Sequence, residues 1–224
     1  MCLILVAWRA RQDFPLVVAA NRDELHARPA SPAAFWPDQP SILAGRDLQA
    51  KGTWLGVSRN GRFASVTNYR GGHDPNAAES RGALVTGFLL DSFPPESFVL
   101  EVSKKKNNYS GFNLLVAGGN ELWWLSNRAD GARRLEPGYY ALGNDLLDTP
   151  EVQDIKARFK DAPVAVEPLF SLLAGAKIVA PVYGTRCSTV LLAQADGRVQ
   201  FAERPFDAAG VDGTTVRYEF SSAR

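Results

Sequence analysis

Cysteine, histidine and methionine are scarce in this 224-residue chain, which holds two, two and one of them. Two cysteines, Cys2 and Cys187, cannot build the disulfide framework of a small secreted domain. Two histidines, His26 and His73, do not make a metal cluster, and neither a metal nor a cofactor is expected. Charge of one sign is also lacking: 25 basic residues stand against 24 acidic ones, for a formal net charge of +1. That balance supplies no field to attract nucleic acid or an anionic membrane. No apolar run approaches the ~20 residues of a membrane-spanning helix. The opening run Leu3–Trp8 has neither the basic segment nor the small-residue cleavage site of a signal peptide. The expectation is a cytoplasmic, metal-free protein with no integral membrane segment. Its 46% of apolar residues are enough for a sizeable core.

The apolar residues are arranged as strands, then helices, then strands again. Residues 2–8 and 15–20 are rich in Leu, Ile, Val and Ala without alternation, as in strands buried on both faces. Residues 21–40 carry Arg28-Pro29, Ser31-Pro32, Trp36-Pro37 and Gln39-Pro40 and read as a loop, with a short strand at Ser41–Gly45. Asn60-Gly61 between two β-rich runs, 52–58 and 63–69, predicts a hairpin with a tight primed turn. Ser80 caps a predicted helix over Leu84, Val85, Phe88 and Leu89. Pro94-Pro95 closes it and opens a second helix over Phe98, Val99 and Val102. Strands follow at 112–117, 122–126 and 139–142. Thr149-Pro150-Glu151 opens a third helix, with Thr149 as its cap. A fourth helix covers 166–173, and 177–185 reads as a loop. The chain ends in strands at 187–193, 199–203 and 215–220. No linker or internal repeat divides it, so residues 1–224 read as one domain. Strands and helices are segregated, which favours antiparallel sheets with helices outside over a doubly wound parallel sheet.

Chemistry-bearing residues collect at the ends of these strands. Cys2 follows the initiator Met directly. Removal of Met1 would leave a cysteine whose free α-amine has a reference pKa of about 7.7–8.0 and can take the thiol proton. Pairing of the first two strands would return Asn21-Arg22-Asp23-Glu24 to the neighbourhood of Cys2, where a cation lowers a thiol pKa. Asn68 and Asn144 each close an apolar strand, and Arg186 precedes one. Each residue also has a plain structural reading: a small apolar strand residue, a surface turn, a turn initiator, a surface arginine.

Taken together, the motifs resemble those of the NRDE family, named for the run Asn21–Glu24 and including the transport and Golgi organisation protein 2 homologues. The resemblance rests on Met1-Cys2, Ala19–Glu24, Arg28-Pro29, Gly52–Gly56, Thr67–Tyr69, Tyr140–Asn144 and Tyr183–Arg186. That family is similar to the cysteine branch of the N-terminal nucleophile (Ntn) hydrolases, which includes bile salt hydrolases and penicillin V acylases. The resemblance implies an α+β fold, a four-layer αββα sandwich of two stacked, mostly antiparallel sheets flanked by helices. It implies catalytic roles for Cys2 as nucleophile, Asp23 as holder of the α-amine, Asn68 and Asn144 as oxyanion donors, and Arg186 as partner of the thiolate. Asn21 and Arg22 are expected to bind substrate. The chain departs from the cysteine hydrolases at Ala20, where they carry an arginine; Arg22 is the nearest cation.

The expected function is hydrolysis of a non-peptide C–N (amide) bond in a small-molecule substrate after removal of Met1. The alternative is a non-catalytic protein that binds or transfers a small molecule such as a lipid or haem on the same fold. A third reading is a regulatory disulfide between Cys2 and Cys187. The sequence carries no signal of oligomeric state.

Overall fold

The structure, a computed structural model, describes residues 2–222. In chain order its strands begin with β1 (Leu3–Arg11), β2 (Phe14–Leu25), β3 (Ala30–Trp36), β4 (Gln39–Asp47), β5 (Leu55–Ser58) and β6 (Phe63–Asn68). Helices α1 (Arg81–Leu90) and α2 (Pro95–Lys104) follow, then β7 (Phe112–Gly118), β8 (Glu121–Ser126), β9 (Ala132–Arg134) and β10 (Gly138–Leu142). Helices α3 (Gln153–Asp161) and α4 (Val166–Ala174) lead to β11 (Tyr183–Ala193), β12 (Arg198–Pro205) and β13 (Val216–Ser221). They form two compact units. The first takes the chain up to Pro29, Pro137–Gly143 and Leu147–Ser222, and the second takes Ala30–Glu136 and Asn144–Leu146.

The first unit is a sheet in the order β10-β1-β2-β11-β12-β13, antiparallel throughout. One of its faces, with Leu3, Leu5, Ala7, Val17, Ala19, Val190 and Leu192, packs with Phe159 of α3 and with Leu169, Phe170 and Leu173 of α4. Each fully buried Leu, Val or Phe among them contributes on the order of 1.5–3 kcal/mol. Residues of opposite parity, Ile4, Val6, Val18 and Leu191, are buried as well. This accounts for the lack of alternation in β1 and β2.

The second unit is a sheet in the order β3-β4-β5-β6-β7-β8-β9. Its core joins Ile42, Ala44, Ala64, Leu114, Val116 and Leu125 to Leu84, Val85 and Phe88 of α1 and Val99 and Val102 of α2. Ser80 caps α1 as expected, its side chain accepting from Gly82 N–H.

Several local expectations are corrected. Residues 30–36 are a strand, not a loop, and the strand expected at Ser41–Gly45 is present and longer, Gln39–Asp47. Pro32 is tolerated because β3 is an edge strand and is irregular between Ser31 and Ala34. Pro40 lies in β4 before the pairing with β5 begins at Ile42. The Asn60-Gly61 hairpin is not a primed turn: Gly61 alone of the two has positive φ (78°), and Ser58 N–H donates to Arg62 O. This is a three-residue loop with glycine at the left-handed position. Thr149 does not cap the third helix through its side chain; a 3-10 turn at Pro150–Val152 precedes α3. Most consequential for function, Asn21–Glu24 and Tyr183–Arg186 are not loops. Both lie inside strands, β2 and β11.

Candidate active site

The motif residues of the first unit sit on three adjacent strands. Leu3 pairs with Asn21, so Cys2 lies opposite Arg22. On the other side of β2, Thr185 of β11 pairs with Asp23, Cys187 with Arg22 and Ser188 with Asn21. Arg186 is the extra residue of a β-bulge between Thr185 and Cys187. Along β2 the side chains alternate, so Asn21 and Asp23 share the helix-covered face and Arg22 points the other way. All three are buried, with relative exposures of 2%, 3% and 7% in the order Asn21, Asp23, Arg22.

The bulge has a direct result. Hydroxyls that normally alternate at even spacing are placed three residues apart on one face. Thr185 Oγ1 donates to Asp23 Oδ1 at 2.6 Å, and Ser188 Oγ donates to Asn21 Oδ1 at 2.6 Å. Asn21 Nδ2 in turn donates to Leu173 O at 3.0 Å, tying β2 to the end of α4. The Asn21 amide is therefore engaged at both ends by the fold. Thr185 Oγ1 also accepts from Ile178 N–H at 2.8 Å.

Cys2 meets the motif through the backbone of Asp23. Its thiol donates to Asp23 O at 3.3 Å, and Sγ accepts from Asp23 N–H at 3.4 Å. Burial pushes the thiol up to about 11; the Asp23 charge adds to this, while the Asp23 backbone hydrogen bond and the Arg22 guanidinium oppose it. Arg22 is thus the arginine side chain acting on the sulfur. It shares the sheet face of Ala20, two residues away, the position that holds an arginine in the cysteine hydrolases. Arg22 lies 3.9 Å from Glu24 Oε2, and Arg28 lies 3.8 Å from the same oxygen.

Arg186 turns elsewhere. Its Nη1 donates to His26 O at 2.8 Å and lies 3.3 Å from His26 Nδ1. Cys187 is free and buried, and its thiol is pushed up by burial and by Glu203, whose Oε2 lies 3.5 Å away. Cys2 and Cys187 flank β2 on either side of Arg22, which separates their Cα atoms by two strand spacings, about 10 Å. A disulfide needs about 7 Å or less, so the regulatory cross-link is not formed in this arrangement.

Asn68 and Asn144 belong to the second unit. Asn68 ends β6, and Asn144 Nδ2 donates to its carbonyl oxygen at 2.8 Å. Arg70 N–H donates to Asn144 O at 2.6 Å.

Three residues of the first unit were not singled out by sequence reasoning. Thr185 and Tyr183 lay within the quoted run Tyr183–Arg186, whose strand character was the missing signal. The Tyr183 phenol is pushed above its ordinary range by burial, then by the negative charges of Cys2, Asp23 and Glu24, and stays protonated. Ser188 carries no sequence signal of its own. Among the described residues no group of three or more His, Cys, Asp or Glu could hold a metal, and no helix is long and apolar enough to cross a membrane.

A profile of the family described as Transport and Golgi organisation 2 matches residues 1–171. The chain belongs to that family. The human Transport and Golgi organization protein 2 homolog is 33% identical over 273 aligned positions, covering 99% of each chain. The bovine homolog is 34% identical over 276 positions, covering 98% of this chain and 99% of its own. Among solved structures, this Transport and Golgi organisation 2 family member is similar to a Caenorhabditis elegans N-acylethanolamine-hydrolyzing acid amidase ortholog. The TM-score is 0.51 at 13% identity, covering 85% of this chain and 92% of that one. At that identity the likeness is one of fold, and it shows the Ntn-hydrolase-like α+β fold expected from the sequence.

Proposed function

We propose that this family member is an N-terminal-cysteine hydrolase acting on the C–N bond of a linear, non-peptide amide. The observation that carries the reading is the seat of Cys2: its sulfur rests on the Asp23 backbone, the Asp23 carboxylate is held by Thr185, and Arg22 acts on the thiol. The reading requires removal of Met1, a residue outside those described. Burial and the Asp23 charge both raise the thiol, so a base is needed to ionise it near neutral pH. The α-amine of a trimmed Cys2 is that base.

The thiol proton passes to the α-amine, and sulfur attacks the carbonyl carbon. By resemblance of their motifs, Asn68 and Asn144 are assigned the hydrogen bonds to the oxyanion, each worth on the order of 3 kcal/mol in the transition state. The ammonium returns its proton to the departing nitrogen as the C–N bond breaks. Water then attacks the thioester, releasing the acid and restoring the thiol. Asp23 orients the α-amine. The nematode amidase named above suggests N-acylethanolamines for the first substrate panel.

The test is hydrolysis of such a panel by trimmed protein and by Cys2→Ala. Undiminished turnover in the variant would sink the nucleophile role. A second reading is non-catalytic binding of a lipid or haem, in which an untrimmed Cys2 has no α-amine of its own to ionise its raised thiol. Intact mass separates the two, because retained Met1 supports the binding reading.

A further inference from the structure

His26, immediately past β2, is held on every polar atom. Its N–H donates to Val182 O at 3.0 Å, and its Nε2 lies 2.9 Å from Ala180 O. Its Nδ1 lies 3.3 Å from Arg186 Nη1, and its carbonyl accepts from the same Nη1. A carbonyl oxygen only accepts and a guanidinium only donates. These partners assign one tautomer: the proton is on Nε2, and Nδ1 presents a lone pair to Arg186. The ring also sits against a tailored backbone. A Cβ on Gly184 would come 3.1 Å from His26 Cε1 and 2.9 Å from Ile178 O. Arg186 is the displaced bulge residue, and among the described residues its buried Nε has no hydrogen-bond partner. Its side chain is thus fixed mainly by His26.

We propose that His26 is a positioning residue of the Cys2 site: the neutral Nε2–H form fixes Arg186 and the segment 178–182, and protonation at Nδ1 releases both. The link to the site rests on the hydrolase reading above. Protonation turns Nδ1 from acceptor to donor, facing another donor, and sets two cations side by side. The other charged groups around the ring do not offset this. Glu24, opposite Gly184 in register, is already shared by Arg22 and Arg28. Asp23 is engaged by Thr185, and Lys177, at the start of the segment, donates to Gly210 O and lies 3.8 Å from Asp212. The Tyr183 phenol is neutral. Release of 178–182 reaches the nucleophile through a chain of bonds: Ile178 N–H donates to the same Thr185 hydroxyl that holds Asp23, and the Asp23 backbone seats the Cys2 sulfur.

The test is hydrogen exchange by mass spectrometry on the full chain at pH 8 and pH 5.5, corrected for intrinsic rates, in wild type, His26→Gln and Arg186→Met. Histidine is the side chain that changes charge in this window. In wild type, protection of peptides spanning 178–186 and of those containing Asp23 falls about tenfold at pH 5.5. In His26→Gln, whose amide can still donate to Ala180 O but does not titrate, the two pH values give the same protection. Arg186→Met, with no cation against the ring, loses most of the pH dependence. Equal protection at both pH values in wild type overturns the proposal, as does a wild-type-sized loss in either variant. A change confined to 178–186 that spares Asp23 overturns the link to the site. Cys2→Ala retains the pH response whatever its turnover, so failure of the hydrolase reading is distinguishable from failure of this one.

Discussion

Cys2 Sγ lies 3.4 Å from the backbone nitrogen of Asp23 and 3.3 Å from its carbonyl oxygen. The side-chain charge of Asp23 raises the thiol pKa while its backbone hydrogen bond lowers it. Removing that charge should therefore help ionisation. In protein retaining Met1, Asp23→Asn should raise the rate of Cys2 alkylation by iodoacetamide at pH 8 about threefold to tenfold. Arg22→Gln removes a lowering charge and should slow it. Mass-spectrometric rates at pH 7, 8 and 9 check both signs, with the deeply buried Cys187 as an internal slow reference. In trimmed protein the prediction reverses for turnover, because Asp23→Asn removes the group assigned to orient the α-amine.

Thr185→Val keeps the shape of the side chain and deletes its hydroxyl. The change removes the Thr185 donor from Asp23 Oδ1 and the hydroxyl acceptor from Ile178 N–H. Losing these two bonds, one of them to a buried carboxylate, costs about 2–3 kcal/mol. For a chain of this size that lowers the melting temperature by about 5–10 °C. Calorimetry reads this directly, and a variant melting like wild type would show that the hydroxyl does not hold the carboxylate.

Gly184→Ala should destabilise through crowding, since its new Cβ would lie 2.9 Å from Ile178 O. Overpacking of this kind costs about 1–3 kcal/mol. Gly119→Ala provides a contrast. Nothing lies within 4 Å of a Cβ built there, and its φ of +58° is the source of strain. Denaturant midpoints of the two variants, with dye binding at 178–186 as a local readout, separate crowding near His26 from turn strain in the second unit.

Asn144→Ala tests the oxyanion assignment. The hydrogen bond it loses, to Asn68 O, is solvent-exposed, so stability should fall by under about 1 kcal/mol. Turnover should fall by about 10²–10³, chiefly in kcat. A variant that folds and turns over normally removes Asn144 from the mechanism.

Much of this was legible from local pattern. Leu3–Trp8 and Leu16–Ala20 read as doubly buried strands because burial on both faces suppresses alternation, and Ser80 and Pro95 marked the two helix starts. The losses share a cause: strands made of polar or proline-containing residues. Pro32 and Pro40 sit where no ladder hydrogen bond is required of them, a fact of sheet position that composition does not carry. Asn21–Glu24 and Tyr183–Thr185 look like turns alone and become strand only through each other, across more than 150 residues. The site was legible as motifs. Its wiring, with Thr185 on Asp23, Ser188 on Asn21 and Arg186 on His26, depends on the register of β2 with β11 and had no local signature.

The bulge at Arg186 works like a frameshift in the facing of β11. Tyr183, Gly184 and Thr185 occupy one phase of the pleat and Cys187 onward the other. Deleting Arg186 alone would restore an unbroken ladder that still sets Thr185 opposite Asp23 and Ser188 opposite Asn21. The extra residue is therefore not what holds Asp23. Its consequence is that one arginine stands outside the pairing of β2 with β11, where it reaches the carbonyl of His26.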